Sequence, residues 1–394
     1  MIPRTKVNYS FRDLFVAIRM KGTQQVWRKR LTSRLAEIVG YDKLLLTASG
    51  RGALYLLLRA LPQSKVLVPA YTCKAVVEAA LLAKKTLLFA DCEERSFNMD
   101  PELARQKMGP DVIVIATHQF GIPCRIEHTM ELARNAGAYV IEDVAAALGT
   151  RINGRLAGTF GDAAIFSFDS TKLINVPLKA GFIAIRSQKI FEDCARIHRD
   201  DTAEMPLVYK WKCLMLGAIL VALANHCLYR VFHTLVFKLR GRFTEDSPEA
   251  AAVLGPFYLY RMAEWQAYIA LRQLEQLDSL IADRREKYAS YLQGLAPATS
   301  FILPPTDKLN TWACIRFPIL VPEGKLNFYN KGCKAGIDFA FSFTYIAAPA
   351  EFERAHRIAN QILDLPYYYY LSKKEQNRVI QVLKTIDKGG KEIG

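Results

Sequence analysis

The sequence predicts an α/β fold with a mainly parallel sheet flanked by helices, followed by a smaller α+β domain. From Leu44 onward, short apolar runs alternate with helical stretches, as expected of consecutive βαβ units. In the predicted strand 111–116, Asp111 is followed by Val-Ile-Val-Ile-Ala, a run typical of a strand buried on both faces. Beyond about residue 200 this alternation ends and an uncharged apolar stretch appears, which predicts a helical insertion.

The alternating region predicts seven strands and three helices before residue 200. The strands are 44–47, 65–69, 86–90, 111–116, 139–143, 164–168 and 182–185, and the helices are 53–61, 73–84 and 125–136. Ligands of open α/β sheets collect at the carboxyl ends of the strands. Ser49, Asp143 and Ser167 lie at or near such ends and Lys172 follows one, so we expect the active site there.

The chain of 394 residues is predicted to divide into three regions. A basic N-terminal segment, 1–43, precedes a large domain, 44–260. The remainder, 261–394, begins with a long amphipathic helix at 261–295 and continues as a small domain. Its predicted elements are a strand at 312–321 and helices at 350–363 and 373–384.

The apolar insertion, 205–242, lies inside the large domain. Residues 213–229 contain no charged side chain, but this run is shorter than the roughly 20 residues of a membrane span. One interpretation is a helix pair buried against the core or a dimer partner. The other is a hairpin that dips into one leaflet and is flanked by basic residues that meet anionic lipid.

The net charge of +15 has a local component, because residues 4–34 contain nine Lys or Arg and one acid, Asp13. No nucleic-acid-binding motif accompanies the charge, so nucleic acid is not the expected partner. Two other partners could explain the charge, namely an anionic membrane surface or a polyanionic substrate such as a nucleotide sugar.

The eight cysteines are scattered without C-x-x-C or paired-histidine spacing, which predicts reduced thiols and no metal site. Residues 1–9 lack a secretory signal. We therefore expect a cytoplasmic protein, with peripheral association at the inner face of the membrane as the alternative.

Three groups near the predicted strand ends suit one cofactor. Lys172 in an apolar cleft can be partly deprotonated and attack an aldehyde to form a Schiff base. Asp143 ends an apolar strand, where a carboxylate requires a cationic or donor partner. Ser167 and the Ser49-Gly50 turn offer hydroxyl and backbone N–H donors to a phosphate. Pyridoxal phosphate requires these three parts.

From Leu44 to about Leu383 the chain resembles the DegT/StrS-type sugar aminotransferases, which are fold type I enzymes that use pyridoxal 5'-phosphate. The resemblance rests on an ordered set of segments, namely 48–54, 68–72, 118–121, 140–145, 158–164, 166–168 with Lys172, 261–267 and 363–366. Each segment alone is weakly specific, and their order provides the specificity.

The resemblance implies a role for each matching residue. Lys172 matches the Schiff-base lysine that also transfers the substrate proton, and Asp143 matches the carboxylate that keeps the pyridine nitrogen protonated. Cys73 stands where the family often places an aromatic residue against the ring. The phosphate cup would consist of Gly50, Arg51 and Ser167.

Each of these residues also has a structural interpretation. Asp143 could cap a helix, Ser167 could be a buried hydroxyl bonded to backbone, and Arg51 could be a surface charge. Cys73 could be a packed thiol. His118 is expected to be structural or substrate-lining, since the lysine already performs the proton transfer.

The sequence also departs from the family pattern. Ala146 replaces a glutamine, Leu148 a histidine and Arg51 a threonine, and the glycine-rich loop is reduced to 178–181. Leu259 stands where a partner subunit usually contributes an asparagine.

The resemblance implies transfer of an amino group from glutamate or glutamine to a keto group of a nucleotide-linked sugar by a homodimer. Such sugars feed surface polysaccharide, lipopolysaccharide or related glycan biosynthesis. One alternative is a membrane-associated aminotransferase acting on a lipid-linked sugar through the 205–242 insertion. The other is a degenerate cofactor-binding scaffold or regulator without transaminase activity, which Ala146 and Leu259 favour.

Overall fold

The computed structural model describes residues 1–20, 26–240 and 255–388, apart from residues 297–298, 308, 310, 323 and 345. Residues 241–242 of the predicted insertion and 389–394 of the predicted C-terminal region lie outside the described residues.

The strands are β1 (Leu44–Thr47), β2 (Lys65–Pro69), β3 (Thr86–Ala90), β4 (Val112–Thr117), β5 (Tyr139–Asp143), β6 (Arg151–Ile152), β7 (Arg155–Leu156), β8 (Ala163–Ser167), β9 (Gly181–Ile185), β10 (Phe317–Leu320) and β11 (Ile362–Leu365). The helices are α1 (Phe11–Arg19), α2 (Val26–Val39), α3 (Gly50–Ala60), α4 (Lys74–Leu82), α5 (Pro101–Arg105), α6 (Ile126–Ala136), α7 (Gln188–Asp201), α8 (Leu207–Ala222), α9 (His226–Arg240), α10 (Pro256–Leu259), α11 (Glu264–Leu274), α12 (Leu277–Leu295), α13 (Lys325–Lys334), α14 (Glu353–Gln361) and α15 (Lys373–Asp387).

The central sheet has seven strands in the order β1-β9-β8-β5-β4-β2-β3. Strand β9 pairs antiparallel with both of its neighbours, and the pairs β8·β5, β5·β4, β4·β2 and β2·β3 are parallel. The expected mainly parallel α/β sheet is thus confirmed. This order places the carboxyl ends of β4, β5 and β8 side by side.

Both faces of the sheet are covered. One face packs on buried side chains of α3, where Leu54, Leu57 and Leu58 are at most 1% exposed. The other face packs on a cluster that includes Leu31 and Leu35 of α2 together with residues of α11. Strand β4 is buried along its whole length, as its apolar run predicts.

The C-terminal region differs from expectation in three of its predicted elements. The strand predicted at 312–321 is confined to β10, Phe317–Leu320. The single helix predicted at 261–295 is two helices, α11 and α12, because the backbone at Gln276 leaves helical geometry (φ −111°, ψ 15°). The predicted helix 350–363 ends at Gln361, and the chain continues as β11, which pairs antiparallel with β10. Periodicity alone does not separate a short apolar strand from the end of a helix.

The apolar insertion forms the helices α8 and α9, which are bent by 113° to each other. Its base is closed by backbone hydrogen bonds of Ala203, which donates to Leu259 O (2.8 Å) and accepts from Arg261 N (2.9 Å). Among the described residues no single helix is long and apolar enough to cross a membrane, and α8 and α9 reach that length and composition only as a bent pair.

A buried carboxylate, Asp338, ties the N-terminal segment and α9 to the C-terminal region. Arg4 donates to both of its oxygens, through Nε at 2.7 Å and Nη2 at 2.8 Å. Tyr229 OH donates to Oδ2, and His233 Nε2 lies 3.5 Å from Oδ1. Donor atoms of His233, Cys333 and Asp338 lie within 4.8 Å of one another, but the Arg4 guanidinium disfavours a metal cation there. The cluster is therefore an anchor for α9.

We predict a pH dependence of stability from this anchor. Hydrogen bonds to Asp338 and Cys333 raise the pKa of His233 from 6.5 to about 9. Because the folded-state pKa is raised, the stabilisation is fully present below the unfolded value and is lost as the pH rises through about 9. The free energy of unfolding of wild type relative to His233→Gln, measured by urea denaturation, should therefore fall between pH 6.5 and about 9. A difference that does not change over this range would contradict the assignment.

Candidate active site

A cavity of about 200 Å³ lies at the carboxyl ends of the sheet strands. It is lined by all six residues predicted from the sequence, namely Gly50, Arg51, Cys73, Asp143, Ser167 and Lys172. A second cavity, of about 260 Å³, lies beside α12 and contains none of them. The first cavity is the candidate site, because it alone of the two combines a lysine, a buried carboxylate and a helix N-terminus.

Lys172 lies on the loop between β8 and β9. Burial lowers the pKa of Lys172, and the nearby carboxylates Asp169 and Asp143 only partly oppose this effect. A lowered pKa increases the fraction of neutral amine, which is the nucleophilic form.

The loop that carries Lys172 is held by two buried amides. Asn175 Nδ2 donates to Lys172 O (3.0 Å), and Asn8 N donates to Asn175 Oδ1 (2.9 Å). Gln273 of α11 accepts from Asn175 N (3.0 Å) and donates to Asn175 O (2.6 Å). The N-terminal segment and α11 thus fix the backbone just after the lysine.

Asp143 ends β5 and is 6% exposed. Its Oδ1 accepts from Ala145 N (3.0 Å), which is a local turn contact rather than the cap of a helix. Within the described part of the chain no cationic side chain forms an ion pair with it. Burial raises the pKa of Asp143, and Ala145 N, Lys172 and His118 oppose the rise. A cationic donor bound in the cavity would supply the missing partner.

The N-terminus of α3 forms a narrow cradle against β8. A Cβ atom on Gly50 would lie 2.9 Å from Ser167 Cβ, so a larger residue there would force the two elements apart. Ser49 Oγ caps the helix by accepting from Gly52 N (2.8 Å). The remaining first-turn N–H groups and the Ser167 hydroxyl suit an anion such as phosphate.

Arg51 lines the cavity, and its Nη1 atom lies 2.6 Å from Glu78 Oε2. Its Nε is buried and has no hydrogen-bond partner among the residues that the structure describes. The side chain is therefore neither a free surface charge nor an uncompensated cation, and one donor remains available. Cys73 is partly exposed at the N-terminus of α4 and faces the same cavity.

His118 is buried and does not line the cavity. The Cys124 backbone amide donates to its Nδ1 (3.2 Å), so Nε2 carries the proton and donates to Glu142 Oε2 (3.1 Å). Glu142 also accepts from the amides of Gly158 (2.8 Å), Phe160 (2.6 Å) and Gly161 (2.7 Å). His118 and Glu142 thus hold the 158–161 loop, in line with a structural role.

Several cavity residues were missed by the sequence analysis. Asp169 and Lys179 lie 3.5 Å apart and flank the lysine loop. Arg316, just before β10, enters from the C-terminal region and donates to Asp364 Oδ2 (2.6 Å). A single charge in the middle of the otherwise apolar predicted strand 312–321 was the available signal for Arg316. Nothing in the pattern places Phe343, which also lines the cavity.

The departures from the family pattern have different locations. Ala146 lines the cavity, and Leu148 is buried in the core. Leu259 is exposed on α10. Replacement of a glutamine by Ala146 therefore removes an amide from the cavity wall, whereas Leu148 contributes only packing.

The chain is similar in sequence to a family of aminotransferases and to enzymes named for nucleotide-linked sugars. The sequence profile of the DegT/DnrJ/EryC1/StrS aminotransferase family matches residues 26–384. GDP-perosamine synthase of Vibrio cholerae is 29% identical over 273 residues, which is 68% of this chain and 62% of that protein. UDP-N-acetyl-3-dehydro-alpha-D-glucosamine 3-aminotransferase of Acidithiobacillus ferrooxidans is 37% identical over 140 residues, which is 34% of this chain and 38% of that protein. The chain thus matches less than two thirds of the length of these relatives.

A solved structure shows the same fold. The sugar aminotransferase CalS13 from Micromonospora echinospora superposes with a TM-score of 0.74 at 19% sequence identity, covering 98% of this chain and 100% of that one.

We predict that Glu142 is a major contributor to stability. Glu142→Ala would leave three buried amides and His118 without their acceptor, at a cost of about 3–5 kcal/mol in the free energy of unfolding. Glu142→Gln, which keeps one carbonyl oxygen, should lose less. Glu192→Ala on the exposed face of α7 is the matched control and should change the value by less than about 0.5 kcal/mol. A loss at Glu142→Ala no larger than the control would contradict the role of this carboxylate.

Proposed function

Because this chain belongs to the DegT/DnrJ/EryC1/StrS aminotransferase family, we propose that it transfers an amino group to a keto group of a nucleotide-linked sugar. The observation that supports this most is the convergence of Lys172, Asp143 and the α3 N-terminus on one cavity. Its cofactor is pyridoxal 5'-phosphate.

The cavity fits this cofactor in three respects. Asp143 is a buried carboxylate that forms no ion pair with a cation in the described part of the chain, which suits a protonated ring nitrogen. The cradle at Gly50 and Ser167, with Arg51 beside it, suits a phosphate. Lys172 offers an amine of lowered pKa for covalent attachment. When bound, the cofactor supplies an electron-withdrawing ring that stabilises negative charge at the substrate carbon.

We assign different roles in the reaction to Asp143, Lys172 and the 172–175 loop. Asp143 would hold the ring nitrogen and favour its protonated, electron-withdrawing form. Lys172 Nζ, as a free amine, would carry the proton between the substrate carbon and the cofactor. Lys172 can perform this task because burial keeps its pKa below that of a solvated lysine. The 172–175 loop, fixed by Gln273, positions the amine.

The acceptor is proposed from the relatives and from the cavity. A GDP-sugar and a UDP-sugar enzyme are among the relatives. Lys179 and Arg316 bring cations to the cavity, and each is paired with an acid, which keeps their side chains in defined positions. Such cations suit the diphosphate of a nucleotide sugar. The amino donor is glutamate or glutamine, and the product would enter surface polysaccharide or related glycan biosynthesis.

We further expect a homodimer in the cytoplasm. Fold type I enzymes complete their sites across a dimer interface, and Leu259 stands where a partner subunit of the family usually contributes an asparagine. Leu259 cannot supply the polar contact of an asparagine, so the partner's contribution would be apolar here.

A lipid-linked sugar is the second candidate acceptor, favoured by the exposed apolar side chains of α8 and α9. Turnover of soluble nucleotide sugars in the absence of lipid and detergent would argue against it.

The first experiment is the absorbance spectrum of the purified protein supplied with pyridoxal phosphate, before and after addition of glutamate. We expect a near-visible band that glutamate shifts to shorter wavelength. Lys172→Ala should abolish the lysine-dependent band, whereas Lys179→Ala, in the same cavity, should retain it. A wild-type protein without the band would contradict cofactor attachment, and a band that glutamate leaves unchanged would favour a degenerate scaffold.

A second experiment tests Asp143. Asp143→Asn should bind the cofactor but react with glutamate about 100-fold more slowly or worse, because the amide does not favour a protonated ring nitrogen. Single-turnover stopped-flow rates measure this effect, with Asp143→Glu as the variant that keeps the charge. Equal rates for wild type and Asp143→Asn would remove Asp143 from the proposed machinery.

A further inference from the structure

Three helices outside the active site each expose a stripe of apolar side chains. The spacing follows i, i+3, i+4 or i+7, so each stripe occupies one helix face. The stripes are Phe11, Phe15 and Ile18 on α1, Val208, Trp211, Met215 and Ile219 on α8, and Leu228, Val231, Phe232 and Leu235 on α9. Each of these side chains is between 42% and 83% exposed. We call this set the apolar outer face.

The opposite faces of α1 and α8 are fixed to the protein. Leu14 and Ala17 of α1 are buried in the same cluster as Cys213 and Leu214 of α8. The two helices approach so closely at Gly217 that a Cβ there would lie 3.3 Å from Leu14. The hydrophobic core is therefore formed by the inner faces of α1 and α8, and the exposed stripes do not contribute to it.

Helix α9 is also fixed in orientation. Its inward side chains Tyr229 and His233 contact the buried carboxylate of Asp338. The exposed stripe lies on the other side of the same helix. The anchor thus keeps the stripe exposed to solvent, although burial of its apolar side chains would be favourable.

The two segments that contribute the apolar outer face are rich in basic residues. Not all of these cations lie at the face, since Arg4 and Arg28 form ion pairs with Asp338 and Glu264. Residues 4–34 and 205–242 together carry fifteen basic residues and one acid, a formal net charge of +14 out of +15 for the whole chain. The insertion itself has six basic residues and no Asp or Glu. The one acid, Asp13, is engaged in the capping box of α1 with Ser10. Exposed cations among the stripes are Arg12, Arg19, Lys212 and Arg230.

The combination of exposed apolar side chains and exposed cations favours one kind of binding partner for the apolar outer face. A second copy of the chain would bring the same cations together without acids to pair them. Nucleic acid would leave the apolar side chains against phosphates and water. An anionic membrane surface provides both a phosphate layer for the cations and an acyl boundary for the apolar side chains. Because α8 and α9 are bent by 113°, the pair suits the headgroup boundary better than a crossing.

We propose that the apolar outer face docks on an anionic phospholipid membrane, with α1, α8 and α9 at the headgroup boundary. The proposal is independent of the aminotransferase reaction, since vesicle binding is measured without substrate.

The test is flotation of the full chain with vesicles of phosphatidylcholine alone or mixed with phosphatidylglycerol. Wild type should float with the mixed vesicles and much less with phosphatidylcholine. The triple variant Leu228→Gln, Phe232→Gln, Leu235→Gln should bind the mixed vesicles at least about tenfold more weakly, because three apolar side chains no longer enter the boundary.

The matched control replaces three leucines that are exposed elsewhere, Leu81→Gln, Leu103→Gln and Leu326→Gln. It should float as wild type does. Unchanged thermal unfolding of both variants shows that folding is not the cause. Absence of flotation by wild type, or equal losses in both variants, would overturn the proposal. So would a triple variant that loses self-association in light scattering while floating normally, since the face would then join two copies.

A second readout reports insertion directly. Trp211 lies on the α8 stripe, so its fluorescence should shift to shorter wavelength on mixed vesicles, and Trp211→Phe should remove that shift. The buried Trp265, 4% exposed, should not contribute. A shift of the same size in Trp211→Phe would place the lipid contact elsewhere and overturn the assignment of this face.

Discussion

The structure depends on the withdrawal of ionisable groups from water at the carboxyl edge of an apolar sheet. Strand β5 carries the adjacent acids Glu142 and Asp143 into this edge. Successive residues of a strand face opposite sides of the sheet. Glu142 is satisfied by backbone amides and His118, whereas Asp143 receives one amide and faces the cavity. One strand therefore supplies both a structural acid, Glu142, and the acid of the candidate site, Asp143, and the two differ in the partners that the fold provides.

The same constraint explains how the lysine is held. Burial of the Lys172 amine removes the hydration that stabilises its protonated form. Asp169 and Asp143 compensate for only part of this loss. The loop must therefore be fixed by other means, and Asn175 and Gln273 do so through backbone hydrogen bonds that do not depend on charge. An uncharged network leaves the lysine free to exist as the neutral amine. A salt bridge to the lysine would have held it protonated instead.

The sequence predicted the strands well because a buried parallel strand is a continuous apolar run. The predicted strands 65–69, 86–90 and 139–143 coincide with β2, β3 and β5. The reversed direction of β9 was not predictable, since strand direction follows from the connection and not from composition. The break at Gln276 was also missed, because apolar spacing continues through it.

The candidate site was predictable only where its residues follow strands or match ordered segments. Lys172 and Asp143 met both conditions. Arg316 and Phe343 reach the cavity from the C-terminal region through long-range packing, which no local pattern encodes. The domain boundaries at 43 and 260 remain predictions. The N-terminal segment nevertheless contacts the core directly, since Asn8 binds the lysine loop.

The distribution of charge separates two explanations that the sequence left open. A polyanionic substrate and an anionic surface could each account for a net charge of +15. In the cavity, however, Arg51, Lys179 and Arg316 are each paired with an acid, Glu78, Asp169 and Asp364 respectively. These three ion pairs mean that the candidate site hardly contributes to the net charge. On α1, α8 and α9, by contrast, the exposed cations Arg12, Arg19, Lys212 and Arg230 lie beside exposed apolar side chains. Exposed cations and exposed apolar side chains therefore coincide on α1, α8 and α9, away from the candidate site, and the proposed membrane contact rests on this coincidence.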